Sequence, residues 1–179
     1  MEKIVERTKK LTVGPPEHQE NWMGPVINEA AQEKILEYIE IGKDKGKLVI
    51  GGKQISDDGY YIEPTIFTEI DPGDRLEQEE IFGPVLAVVK ARDYDHALEI
   101  ANDTDYGLTG GVWTKDQAKI ERAKKEFHVG NLYFNRGITG SIVGSQPFGG
   151  FNLSGTDNKA GGKDYLLFFQ QAKTVTQRL

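Results

Sequence analysis

Apolar residues recur along this 179-residue chain with two different spacings, and the switch between them marks out the expected elements. Ala31, Ile35, Leu36 and Ile39 share one face of a 3.6-residue period. That spacing predicts a helix that starts after an Asn28 cap, runs to about Lys45 and stops at Gly46. Lys47 to Ile50 follows as a short strand ended by Gly51 and Gly52. Tyr60 to Ile70 is extended, and Pro64, with no N–H to give to a ladder, makes it an edge strand or an irregular segment. Val85 to Val89 is a continuous apolar run, the pattern of a strand covered on both faces. Asp93 then caps a helix that aligns Tyr94, Ala97, Leu98 and Ala101 on one side. Leu108 to Thr114 reads as a strand. Asp116 caps another helix with Ile120, Ala123 and Phe127 facing inward, and Val129 to Phe134 is a further strand. Strand–helix–strand–helix–strand with short links predicts an α/β fold with a parallel βαβαβ sheet. Met1 to Lys10 reads as a short basic helix. Lys173 to Arg178, where Thr and Val alternate, reads as a terminal strand.

Residues 135–162 break this regularity. They are glycine-rich, yet Ile142, Val143, Phe148, Phe151 and Leu153 are too apolar for a disordered linker. The segment leaves the carboxyl end of an expected parallel strand, where ligands dock in open α/β sheets. Gly140 and Ser141 offer backbone N–H groups, and Ser141 adds a hydroxyl, which suits an anion. A turn-rich structural loop explains the same composition. A second candidate is Gln78 to Pro84, which runs straight into the apolar strand. A carboxylate there could accept hydrogen bonds from sugar hydroxyls; a solvated Glu79–Glu80 pair is the alternative.

Composition narrows the chemistry. Lys and Arg number 22 against 28 Asp and Glu, a formal net charge of −6, which disfavours binding to a phosphate backbone. No apolar run approaches the ~20 residues of a membrane span, and no apolar leader is visible near Met1. The sequence has no cysteine, so it encodes no disulfide, zinc–thiolate site or thiolate nucleophile. These features agree with a cytoplasmic setting. His18, His96 and His128 lack partners at ligand spacing, so no metal is expected. There is no P-loop, no GxGxxG after a strand and no GxSxG elbow.

Four motifs carry a resemblance. EEIFGPV (79–85), ALEIANDTDYGLTGGV (97–112), GNLYFNRG (130–137) and QPFGGFNLSGT (146–156) resemble, in this order, the carboxyl-terminal part of the NAD(P)-dependent aldehyde dehydrogenase superfamily. Residues 23–43 fit the same alignment. RGITGSIVGSQPFGG (136–150) and the ending SGTDNKAGG…QAKT resemble the pyrroline-carboxylate branch, whose members oxidise glutamate γ-semialdehyde to glutamate in proline breakdown. The resemblance implies that Glu80 holds the nicotinamide ribose of NAD and that Phe82 lines the nicotinamide pocket. It implies that Gly140 and Ser141 anchor the substrate's α-carboxylate and that Phe148 packs on its aliphatic chain. It also implies a catalytic-domain portion over residues 1–170, and an oligomerisation strand over 171–179 that joins a sheet shared between subunits of a homo-oligomer.

The departure from the family is one of extent. Its members are about three times this length, and the portion that holds the Rossmann-like NAD-binding domain, the nucleophilic cysteine and the general-base glutamate has no counterpart here. In the family mechanism a thiolate attacks the aldehyde, hydride passes to NAD, and water activated by glutamate cleaves the thioester. With no cysteine encoded, the expectation is a chain that carries part of a substrate pocket and no catalytic residue, inactive alone. The alternative expectation is a non-enzymatic α/β module that associates through its edge strands.

Overall fold

The computed structural model describes residues 1–56, 58–138, 140 and 142–179. The chain divides into two compact units, Met1–Ala91 and Arg92–Leu179. Together they form a mixed α/β fold.

The first unit contains α1 (Glu2–Thr8), α2 (Glu29–Lys45), β1 (Lys47–Ile50), β2 (Thr65–Ile70), α3 (Arg75–Gln78) and β3 (Val85–Val89). The Asn28 side chain accepts from the Ala31 N–H at 2.9 Å, satisfying one of the donors that a helix start leaves unpaired. Gly46 ends the helix as the sequence predicts. The sheet order is β1-β2-β3, with β1 antiparallel and β3 parallel to β2. Thus β2 is the central strand, not the edge strand that Pro64 suggested. Pro64 lies just outside the ladder, which begins where the Thr65 N–H donates to the Pro84 carbonyl at 2.8 Å. One face of the sheet receives α2. Ile35, Ile39, Ile62 and Phe67 are almost wholly buried there, beside Tyr38, Ile70 and Leu76. Each such apolar side chain contributes about 1.5–3 kcal/mol on burial.

The second unit contains α4 (Tyr94–Asn102), β4 (Thr109–Val112), α5 (Gln117–Glu126) and β5 (Asn131–Phe134), followed by 3₁₀ turns at Asn152–Ser154 and Lys163–Phe169. Both predicted caps form: Asp93 accepts from the His96 N–H, and Asp116 from the N–H groups of Ala118 and Lys119. Strands β4 and β5 pair in parallel. The helices are tied by polar contacts. Asn102 donates to the Glu126 carbonyl at 2.7 Å and accepts from the His128 N–H at 2.8 Å. The Tyr94 hydroxyl donates to the Lys119 carbonyl at 2.7 Å.

Three expectations change. The three strands expected in one βαβαβ sheet fall in two sheets, because β3 takes β2 as its parallel neighbour. Period and length locate a strand but do not select its partner. The β3 strand is not covered on both faces, since Leu86 is 45% exposed. Residues 170–179 carry no strand and are exposed. A strand needs neighbouring backbone groups to pair with, and none is provided for this segment among the described residues.

The weight of the α2–β2 contact is open to measurement. Phe67→Ala is expected to lower the unfolding free energy by about 3–5 kcal/mol, and Leu86→Ala by less than about 1 kcal/mol, in urea denaturation.

Candidate functional site

The 79–82 segment follows directly from α3, and the structure gives its two glutamates different tasks. The Glu79 carboxylate is gripped by Arg75, with Nε on Oε1 at 2.9 Å and Nη2 on Oε2 at 3.0 Å. The Tyr38 hydroxyl donates to the same carboxylate. These hydrogen bonds, first from Arg75 and then from Tyr38, hold the Glu79 pKa down at about 2. The partnership raises the Tyr38 pKa, through the bond to Glu79 and then through burial. Glu80 points its side chain to solvent, while its backbone carbonyl accepts from Lys34 Nζ at 2.7 Å. Ile81 turns inward to the core. Phe82 then takes a left-handed backbone, φ 59°, with its side chain 80% exposed. That conformation costs an aromatic residue about 1–2 kcal/mol.

An exposed carboxylate two residues from an exposed aromatic ring has a definite chemical use. The carboxylate accepts hydrogen bonds from paired hydroxyls, and the ring offers an apolar face to a planar heterocycle. Glu80 and Phe82 together offer both features on one short segment.

In the second unit, two side chains of β5 organise the glycine-rich segment. Asn131 and Tyr133, two apart, project from the same face. The Tyr133 hydroxyl donates to the Gly140 carbonyl at 2.5 Å, and Gly140 holds φ +78°. Asn131 donates to the Pro147 carbonyl at 3.0 Å and accepts from the Gly149 N–H at 3.2 Å, so one side chain brackets Phe148. Phe148 is half-buried, and both its backbone groups pair with Ala160, at 3.0 and 2.8 Å. Lys159 Nζ donates to the Gly149 carbonyl and stands 4.7 Å from the Phe151 ring centroid. Burial lowers its pKa, opposed by Asp157. Gly149 has no room for a side chain, since a Cβ would lie 2.1 Å from the Asn158 carbonyl oxygen. Beside this arrangement a cavity of about 330 Å³ is lined by Asn131, Tyr133, Arg136, Gln146 and Pro147 among others. That volume is at the small end of ligand sites.

Glu80 and Phe82 thus lie together in the first unit, and Gly140 and Phe148 lie along β5 in the second. Ser141 lies outside the described residues. Sequence reasoning missed Lys34, Tyr38, Arg75, Tyr133 and Lys159. Asn131 and Tyr133 lie in the GNLYFNRG motif, Lys159 in the SGTDNKAGG ending, and Lys34 and Tyr38 in the aligned residues 23–43, but motif membership assigned none of them a task. His96 is half-buried, and its Nδ1 accepts from the Arg92 N–H at 3.1 Å. Among the described residues no cluster of His, Asp and Glu could hold a metal ion, and no helix is long and apolar enough to cross a membrane.

Comparison with known proteins adds a common background to both groups. A model of the aldehyde dehydrogenase family matches residues 1–175. The 1-pyrroline-5-carboxylate dehydrogenase of Bacillus subtilis (strain 168) is 63% identical over 177 residues, 99% of this chain and 34% of its own length. The 1-pyrroline-5-carboxylate dehydrogenase 1 of Halalkalibacterium halodurans is 61% identical with the same coverage. Among solved structures, 1-pyrroline-5-carboxylate dehydrogenase from Thermus with bound NAD superposes with a TM-score of 0.95 at 53% identity, covering 99% of this chain and 34% of that one. Betaine aldehyde dehydrogenase from Staphylococcus aureus in complex with NAD+ gives 0.86 at 32% identity, covering 94% and 34%. The chain spans about a third of the length of the curated relatives it matches.

Two measurements probe the geometry. Asn131→Ala removes both bonds that bracket Phe148 and is expected to cost about 1–2 kcal/mol in denaturant unfolding. Glu79 titrates near 2 in the folded chain against an ordinary 4.5, so its stabilising contribution is complete above about pH 5 and is lost as pH falls toward 2. The melting-temperature gap between the parent chain and Glu79→Gln should therefore be widest above about pH 5 and close toward pH 2.

Proposed function

The chain belongs to the aldehyde dehydrogenase family, and from that membership we propose that it supplies the cofactor-ribose and substrate-carboxylate contacts of a 1-pyrroline-5-carboxylate dehydrogenase. The reaction is the NAD-dependent oxidation of glutamate γ-semialdehyde to glutamate. The observation that carries this reading is the presentation of Glu80 and Phe82 to solvent on a fixed segment, in a chain 63% identical to an enzyme of that name.

NAD supplies the hydride acceptor. Glu80 accepts hydrogen bonds from the ribose hydroxyls, and Phe82 lays its ring along the nicotinamide. Gly140 and Ser141 receive the α-carboxylate of the semialdehyde, with backbone N–H groups and the Ser141 hydroxyl as donors. Phe148 packs on the methylene chain and keeps water from it. The family's covalent step requires a thiolate, and this sequence encodes no cysteine. The reading therefore assigns binding and orientation to this chain, and bond-making to the part of the fold that its longer relatives carry in addition. By the same resemblance, residues 171–179 pair as a strand with a partner subunit of a homo-oligomer.

The β1-β2-β3 order favours a second reading, because β1 presents an unpaired edge in the ladder. On that reading the chain is a non-enzymatic module that self-associates through strand edges, which light scattering would register as dimers or larger species.

Reconstitution tests the first reading. The chain is mixed with the separately made amino-terminal two thirds of the Bacillus subtilis relative, and NADH absorbance is followed with the semialdehyde. The expected result is no turnover by either part and turnover by the mixture. Turnover by the purified chain alone would overturn the assignment, and an inactive mixture at every ratio would favour the module.

A further inference from the structure

We propose that Lys34, Tyr38 and Arg75 are positioning residues, which together mount Glu80 and Phe82 in the outward conformation that meets the cofactor. The inference deepens the cofactor reading above and rests on it.

The contacts converge on one short segment. Lys34 and Tyr38 lie one turn apart on α2, and Arg75 opens α3. Tyr38 and Arg75 hold the Glu79 carboxylate, and Lys34 holds the Glu80 carbonyl at 2.7 Å. Between the two α2 contacts sits Ile35, against which Gly83 lies so closely that a Cβ there would approach to 2.5 Å. The segment is thereby fixed before, at and after the two residues that face outward. The three anchors also stack on one another: the Arg75 guanidinium lies 5.1 Å and Lys34 Nζ 5.6 Å from the Tyr38 ring centroid.

Cohesion alone does not account for this arrangement. The core of Ile35, Ile39, Phe67 and Ile70 takes in the Tyr38 ring, but the Tyr38 hydroxyl, Lys34 and Arg75 reach past it to the 79–80 segment. Phe82 buries little of its ring, so its left-handed backbone gains nothing from packing in return. A strained residue persists only where its surroundings over-determine it, and such residues concentrate where a ligand is met. The anchors provide that over-determination and leave Glu80 and Phe82 side chains available.

The test begins with hydrogen exchange on the intact 179-residue chain. Tyr38→Phe removes one hydroxyl and keeps the ring. Exchange over residues 80–83 should accelerate about tenfold or more, and by more than at the amides of α2 and β2, with the melting temperature lowered by only a few degrees. Unchanged exchange at 80–83, or equal acceleration through α2 and β2, would overturn the mount. In the reconstituted enzyme, Tyr38→Phe should raise KM for NAD about threefold or more and leave KM for the aldehyde unaltered. Glu80→Ala is the control. If Glu80→Ala leaves KM for NAD unchanged, the cofactor reading has failed and the inference falls with it. If Glu80→Ala raises that KM and Tyr38→Phe does not, the mount alone has failed. Should the mixture show no turnover, the exchange result alone decides whether the mount exists.

Discussion

The packing of α2 on β2 is the interaction on which the first unit depends. Ile35, Tyr38 and Ile39 close over Phe67 and Ile70, and water is excluded from all five. The same turns of helix carry Lys34 and Tyr38 toward the 79–83 segment. A shift in how α2 seats on the sheet would therefore move the outward glutamate and phenylalanine as well. Apolar packing sets the stability here, because each buried side chain contributes more than a half-exposed ion pair. The polar anchors set direction.

The second unit is organised on a different principle. Few of its side chains are fully buried, and its long glycine-rich segment is held by backbone hydrogen bonds together with side chains bonded to backbone. Asn131, Tyr133, Ser154 and Lys159 each satisfy a carbonyl or an N–H of that segment or of its neighbours. Glycine is what allows the strands of this loop to approach closely enough for those bonds. At Gly149 the neighbouring carbonyl occupies the place where a side chain would begin. A segment built this way leaves backbone groups open to a ligand in a manner that an apolar core cannot.

The helices α2, α4 and α5 were legible in the sequence because their information is local, whereas the single turn of α3 was not read. Asn28, Asp93 and Asp116 announce their helices from one residue away, and each forms the expected cap. Strand partners were not legible. Val85 to Val89 reads as a buried strand, but nothing in its period tells β2 from β4 as its neighbour. Pro64 misled for a related reason: its missing N–H matters inside a ladder, and the ladder starts one residue later. Glu80 and Gly140 were candidates from the residues themselves, and Phe82 and Phe148 were reached through motif resemblance. The residues that hold them were not, because the Tyr38–Glu79 and Lys34–Glu80 contacts span 41 and 46 positions. Such pairs become neighbours only after α2 has packed, so no short window contains them.

The division of chemistry between this chain and the rest of the family fold has a physical logic. Holding a ribose or a carboxylate needs an oriented acceptor, an apolar face or a few backbone N–H groups. Local structure of modest size can supply these, which is what the proposed reading asks of the 79–83 segment and of Gly140 and Ser141. Activating a thiol needs more, because the thiolate has to be favoured by nearby positive charge or a helix start while solvent is kept out. Exposed aromatic side chains in each unit agree with a role beside further structure. Trp22, Phe82, Trp113 and Phe169 are each about 70–80% exposed, more aromatic surface than an isolated domain usually leaves in water. Those rings are apolar area on which the additional two thirds of a longer relative could close, and closure of that kind would dry the site where the sulfur reacts.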